Sequence, residues 1–394
     1  RYMSGEGRIY RYISSPVKGI TAATLQQQGI PITGNFTGVS TGPGITSGTA
    51  SMFRYVEPGY VQFPAVGSTN LDTLRRGVGY TPFIREASVP TVMSLVGEPY
   101  QGTINFTLIG GTGSELNGWN LLGNPYAAPV QWTGGSTGGW TMTGLNNTAY
   151  VRENSNTISG GFMWKSHNGI TGTGGWNGLI APGQAFWVRA TAANPTLTIS
   201  ESAKKITDGA FFREDGSVDN TLEIIMTSAT AQDAAIIQFI DGATPAFDTN
   251  IDGAKQSNSF FNLSTLTSDN RALVINQTTL NYCAQEIKLR IVNAAAGTYG
   301  LSINGLDNII SGDKVTLIDN FLQTEKLISE AENLSFTITS DAASKADGRF
   351  TLRFAKPEVV LNQTLKSNPA CEQTNALVLV GNSQPGVSYQ AFFN

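Results

Sequence analysis

Two blocks about sixty residues apart constrain this chain more than any other feature. The first is GWNLLGNPY at 118–126 and the second is IAPGQAFWV at 180–188. Each reads as a buried strand joined to a tight turn. In the first, Asn124-Pro125 stops the strand, because proline lacks an amide donor and holds the residue before it extended. In the second, Pro182-Gly183 is a turn signal that opens a strand at Gln184. The six tryptophans (Trp119, Trp132, Trp140, Trp164, Trp176, Trp187) all fall within the span of the two blocks. Neither block holds a nucleophile with a base or a set of metal ligands, so the pair is expected to build a core.

The rest of the chain follows the same style. Charged residues make up 14%, against roughly 25% in ordinary soluble domains. Glycine is abundant, with 44 residues, while apolar content stays at 40%. That balance fits short strands with many turns and excludes disorder. At 394 residues the chain exceeds one ordinary core. Residues 1–205 carry 13 Lys/Arg and 8 Asp/Glu (+5), whereas 206–394 carry 12 and 21 (−9). Asp72 is the only aspartate before Asp208, so a boundary is expected near 200–210. The basic excess is too small and scattered for a nucleic-acid partner. No run of about 18 apolar residues is present, so no membrane insertion is expected. No signal peptide opens the chain at Arg1, and a fragment or processed form is expected. Two cysteines, Cys283 and Cys371, are too few for a disulfide scaffold.

Taken in order, strands are expected at 8–17, 31–38, 51–56, 89–96 and 103–109, with one short helix at 21–28. Residues 1–205 then form a Trp/Gly-rich β-sandwich of jelly-roll type. Strands at 221–226, 233–240, 286–291, 297–303, 315–319, 334–338 and 349–354 define a second, acidic β-sandwich over 206–356. Residues 357–394 read as the opening of an Ig-like module, incomplete because such a sandwich needs roughly 100 residues. Cys371 would then pair beyond the end of this sequence. The fold class is all-β: two tandem β-sandwich (jelly-roll-like) domains plus the start of an Ig-like one.

The motifs GWNLLGNPY and PGQAFWVRA, with Trp132 between them, resemble the large secreted surface proteins of Bacteroidota exported by the type IX system. So do RYISSPV, PITGNFTG, SMFRYVEP and RGVGY early in the chain, and GTYGLSI, VTLID, LSFTI and RFTLRF later. The resemblance covers about 350 residues. It implies a second β-sandwich, type IX export and attachment at the outer-membrane surface, with the export machinery and other surface proteins as partners. It also makes Asp72-Thr73-Leu74 an O-glycosylation acceptor pattern, with Thr73 as the modified residue.

Candidate chemistry is sparse. His167 is the lone histidine, which excludes a His-rich zinc site, and a triad would need an aspartate where its half offers only Asp72. The acids cannot be paired into a glycosidase site from spacing. No catalytic residue is assigned. The stretch 248–253 (DTNIDG) matches the start of an EF-hand loop, making Asp248, Asn250 and Asp252 calcium candidates. Position twelve is Ser259 where a glutamate is required, so a complete EF-hand is excluded; the bland alternative is an Asx-rich turn with Asp252 beside Lys255. No other cofactor is expected. Trp119 and Trp187 lie inside apolar runs and are expected in the core. Trp140, Trp164 and Trp176 lie beside Gly-rich loops and are the glycan-contact candidates; the alternative is that they close the sandwich end with indole N–H groups on loop carbonyls. The resulting expectation is a non-enzymatic structural or adhesive section of a large extracellular protein. A carbohydrate-binding module and a subunit of a self-assembling filament are the alternatives.

Overall fold

The computed structural model describes residues 2–3, 9–45, 48–85, 91–114, 116–154, 162–206, 220–280, 285–309, 314–355, 365–367 and 378–380. The chain is almost all β, with one short α-helix among the described residues. That helix, Ala22–Gln27, starts where Thr21 and Thr24 bond reciprocally as a capping box.

The half before residue 206 holds two cores. The first lies under a four-stranded antiparallel sheet ordered Ile9–Tyr10, Tyr80–Ile84, Met52–Val56, Gly59–Gln62. Ile13, Ile20, Leu25, Ile32, Met52 and Tyr80 fill it. The strand expected at 31–38 is absent. Its single bridge is Thr37 to Thr69, and Gly34 and Gly38 take positive φ there, with the side chains of Gln62 and Asn70 packed where a Cβ would stand. The strands expected at 89–96 and 103–109 shrink to Thr91–Val92 and Ile104–Asn105.

The second core is a sandwich. One sheet is ordered Phe162–His167, Leu145–Asn154, Ala185–Ala190, Trp119–Gly123. The other is Trp140–Thr143, Thr196–Ile199, Ile104–Asn105. The two sequence blocks are direct neighbours, with Leu121 opposite Trp187 and Asn120 opposite Val188. The Asn124 amide ties them again, donating to the carbonyls of Ala128, Ile180 and Ala181. Trp132, Trp140, Trp176, Phe186 and Val188 meet between the sheets.

After residue 220 a single sheet curls on itself. Its order runs Thr324–Leu327, Lys314–Asp319, Phe350–Ala355, Gln285–Val292, Asn262–Leu266, Ala272–Thr278, Gln232–Phe239, Thr221–Thr227, Gly297–Asn304, Leu334–Ile338. All its neighbours are antiparallel except Gln232–Phe239 with Ala272–Thr278, which are parallel. The two arms enclose one core, and Phe336 near one end of the order meets Phe350 near the other at 4.8 Å. Strand Gln285–Val292 alternates as its sequence dictates: Ile287, Leu289 and Ile291 point in while Glu286 and Lys288 stay exposed.

Among the described residues no strand ladder joins the two halves. They meet through side chains and isolated backbone hydrogen bonds such as Asn147 to Asn250. Tyr12, Tyr150 and Trp187 of the first half pack on Ile236, Val274 and Ile275 of the second. Each such fully buried apolar side chain contributes about 1.5–3 kcal/mol. Strands Leu365–Ser367 and Val378–Val380 pair antiparallel; the remainder of the expected Ig-like module, including Cys371, lies outside the described residues, as does Cys283.

Candidate functional site

Two of the three glycan-contact tryptophans are removed from solvent. Trp140 and Trp176 are each 2% exposed, because both indoles point between the sheets of the second core. Trp140 donates its indole N–H to the Gln131 carbonyl at 2.6 Å and Trp176 to the Leu179 carbonyl at 3.1 Å. No ring face is left for a sugar at either position. Trp164 differs: it is half-buried at the seam, donating its indole N–H to the Ser257 carbonyl of the second half.

The calcium candidates are also committed elsewhere. Asp248 accepts from the Thr244 amide and hydroxyl. Asp252, fully buried, accepts from the amides of Asp248 and Gln277, both at 2.7 Å. Asn250 accepts from the Thr191 hydroxyl. Three side chains facing three separate donor sets do not converge on one cation, which needs six to eight oxygens. Among the described residues no group of three or more His, Cys, Asp or Glu could hold a metal ion. Lys255 pairs with buried Asp233 at 2.6 Å and not with Asp252.

The 248–252 turn is instead the dock between halves. Asn146 donates to the carbonyls of Thr249 and Asp252, the Asn147 amide to Asn250, and Arg189 to Thr249. A second polar contact runs from Asn168 through Gln238 to Gln277. Burial pushes the Asp252 carboxyl up to about 7, against the opposing pull of its two amide donors. His167 is buried at the end of its strand, accepts from the Gly169 amide, and is held down to about 4 by burial. Thr73 is exposed, beside an Asp72 carboxylate that accepts from Ala65 and Ser68.

Around Trp164 the structure brings together rings that no single motif contains. From Phe83 they run to Tyr10 (4.9 Å), Phe53 (5.9 Å) and Tyr60 (6.4 Å). They continue through Tyr55 (5.4 Å) to Trp187 (4.7 Å), Trp164 (6.3 Å) and Phe162 (6.5 Å). The Tyr12 and Tyr60 hydroxyls bond at 2.7 Å. A guanidinium closes each end: Arg85 lies 5.5 Å over Phe83 and Arg152 3.7 Å over Phe162. Tyr60 is the most open ring, 48% exposed, and most of the others are half-buried. The sequence signal for this strip is period two: Tyr10 with Tyr12, and Phe53 with Tyr55, share strand faces.

Fold and site define an all-β protein of sandwich-type units docked along one buried seam, with an aromatic strip that runs over the first half up to that seam. The chain belongs to the family of DUF8693, a domain of unknown function whose match covers residues 8–354. That single match takes in both halves and the seam. No curated protein and no solved structure matches the chain.

Proposed function

We propose that this chain is a non-enzymatic structural and adhesive section of a large protein displayed outside the cell, and that the aromatic strip is its contact surface for glycans. The observation that carries the reading is the strip itself: eight rings in sequence, contributed by the two four-stranded sheets of the first half and braced at Trp164 by the second half. Aromatic faces bury apolar area while Tyr and Trp keep a polar handle, the combination that pyranose C–H faces and hydroxyls require. The non-enzymatic reading is supported by how the buried ionisable groups are used. Asp233 pairs with Lys255, Asp319 with Arg349, and His167 accepts from a backbone amide. Type IX export and outer-membrane attachment belong to the same proposal and rest on the motif resemblance. The filament alternative has less support, since edge strand Thr324–Leu327 carries Glu325 and Lys326, charges that disfavour strand addition.

Beads carrying the 394-residue chain, passed over a printed glycan array with calcium and with EDTA, test the reading. Retention should occur on at least one glycan, persist in EDTA, and fall about tenfold in Tyr60→Ala, a loss of about 1.4 kcal/mol. Absence of retention, or equal retention by Tyr60→Ala, would remove the strip from the account.

A further inference from the structure

The guanidinium at the seam end of the strip has no counter-charge. Arg152 stands directly opposite Trp164 across the ladder of strands Leu145–Asn154 and Phe162–His167, so the two side chains share a face. It is half-buried, 3.7 Å over the Phe162 ring and 5.4 Å over that of Tyr12. Its Nε is buried without a hydrogen-bond partner, and among the described residues no carboxylate pairs with the group. Other sheltered arginines are engaged. Arg76, Arg85 and Arg189 donate to backbone carbonyls and Arg349 to the Asp319 carboxylate. The guanidinium at the far end of the strip, Arg85, is thus occupied, and Arg152 is not.

The acids close by in sequence or space are also spoken for. Glu153, the next residue along the strand, faces the other way and pairs with Lys165 at 3.0 Å. Glu57, near Tyr55, accepts from the amides of Gly118 and Trp119. A positive charge sheltered from water and left unpaired is costly until an anion reaches it. The neighbouring polar groups donate as well. The Tyr12 and Tyr60 hydroxyls share one hydrogen bond, and two hydroxyls carry two protons, so one proton is left for an outside acceptor. Burial and then Tyr12 push the Tyr60 phenol up, and the Arg152 charge opposes them.

We propose that the glycan taken by the strip is acidic and that its carboxylate or sulfate group seats on Arg152. This rests on the reading of the strip as a glycan surface and names the class of glycan. The planar guanidinium fork matches an oxyanion with two parallel N–H donors, and stacking on Phe162 holds its plane in place. The Tyr12–Tyr60 hydroxyl pair leads from that charge to Tyr60, the most open ring of the strip.

Titration calorimetry on the 394-residue chain with matched acidic and neutral glycans tests it. The pairs are tetragalacturonate and its methyl ester, chondroitin sulfate tetrasaccharide and its desulfated, carboxyl-reduced form, and sialyllactose and lactose. Inorganic sulfate serves as the lone anion. In at least one pair the acidic member should bind about tenfold more tightly, as a charge-assisted bidentate contact requires. That preference should vanish in Arg152→Gln and be kept in part in Arg152→Lys, whose ammonium has the charge without the fork. An arginine that only braced Phe162 would change the melting temperature of these variants and leave the preference as it was. The proposal is overturned by equal binding within every pair, by a preference unchanged in Arg152→Gln, or by inorganic sulfate binding as tightly as the acidic glycans. Binding of neutral members alone, lost in Tyr60→Ala, would overturn it while the strip reading stands. No binding by any member overturns it too, and retention on the glycan array then decides the strip separately.

Discussion

Asp252, at the seam, and His167, beside Trp176 in the first half, are both buried and respond to acid in opposite senses. Asp252 is pushed from an ordinary 3.8 up to about 7. Between those values the folded chain keeps a proton that the unfolded chain has released, so this group's contribution to stability falls as pH rises. His167 is pushed from 6.5 down to about 4. Between those values the unfolded chain takes a proton that the folded chain refuses, so its contribution rises with pH. The full swing is worth roughly 4 kcal/mol for Asp252 and roughly 3 kcal/mol for His167. Over pH 4–6.5 the two largely cancel. Urea unfolding at pH 4.5, 5.5 and 6.5 should therefore show stability falling with pH in His167→Gln and rising with pH in Asp252→Asn, relative to the parent. The asparagine variant also starts lower, by about 1–3 kcal/mol, since its NH₂ faces an amide donor. Parallel pH profiles for all three proteins would refute this assignment. The sequence singles out both residues, His167 as the lone histidine with no chemistry assigned and Asp252 as a calcium candidate, but gives no sign of the burial that sets their behaviour. A DxNxDG spacing looks the same whether its oxygens take calcium or backbone amides, and only the fold brings Thr244, Thr191 and Gln277 to those oxygens.

At the scale of the element, the blocks at 118–126 and 180–188 are legible because apolar runs end at proline and glycine, and they do pair. Strand Trp119–Gly123 closes with a glycine for a packing reason. A Cβ on Gly123 would stand 2.3 Å from the Ser14 Cβ and 2.7 Å from the Val78 carbonyl oxygen. Gly123→Ala should cost about 3 kcal/mol by overpacking. Gly59, in a strand with open space around it, should tolerate alanine within about 0.5 kcal/mol. Thermal unfolding of the pair checks this, and equal losses would show that the close approach is not real. Second-half strands such as Gln285–Val292 are readable by alternation. Strands Leu145–Asn154, Asn262–Leu266 and Ala272–Thr278 are not. Their Asn146, Thr148, Asn262, Ser264, Asn276 and Gln277 are polar yet buried, and Asn146 and Gln277 meet the opposite half. Period-two patterning assumes that polar means solvent, and at a seam that assumption fails.

At the scale of the molecule, the charge step near residue 206 coincides with the gap between the last ladder of the first half and the first of the second. What composition hides is that the halves are not independent. The 248–252 turn, Arg189, Asn146 and the Tyr12–Trp187–Ile275 cluster make a seam with the burial of a core. An adhesive section gains from this, because a rigid seam holds the aromatic strip in one geometry and spares the ordering cost of binding. All six tryptophans lie in the first half, with Trp164 and Trp187 against the second, so their fluorescence reports the first half and the seam, while far-UV circular dichroism reports both halves. The decisive measurement is urea unfolding of the chain followed by both signals. Coincident midpoints and slopes are predicted, since breaking the seam exposes both halves together. Two separate transitions, in which circular dichroism and fluorescence change in different proportions, would mean that one half unfolds without the other, and would contradict the single-block account.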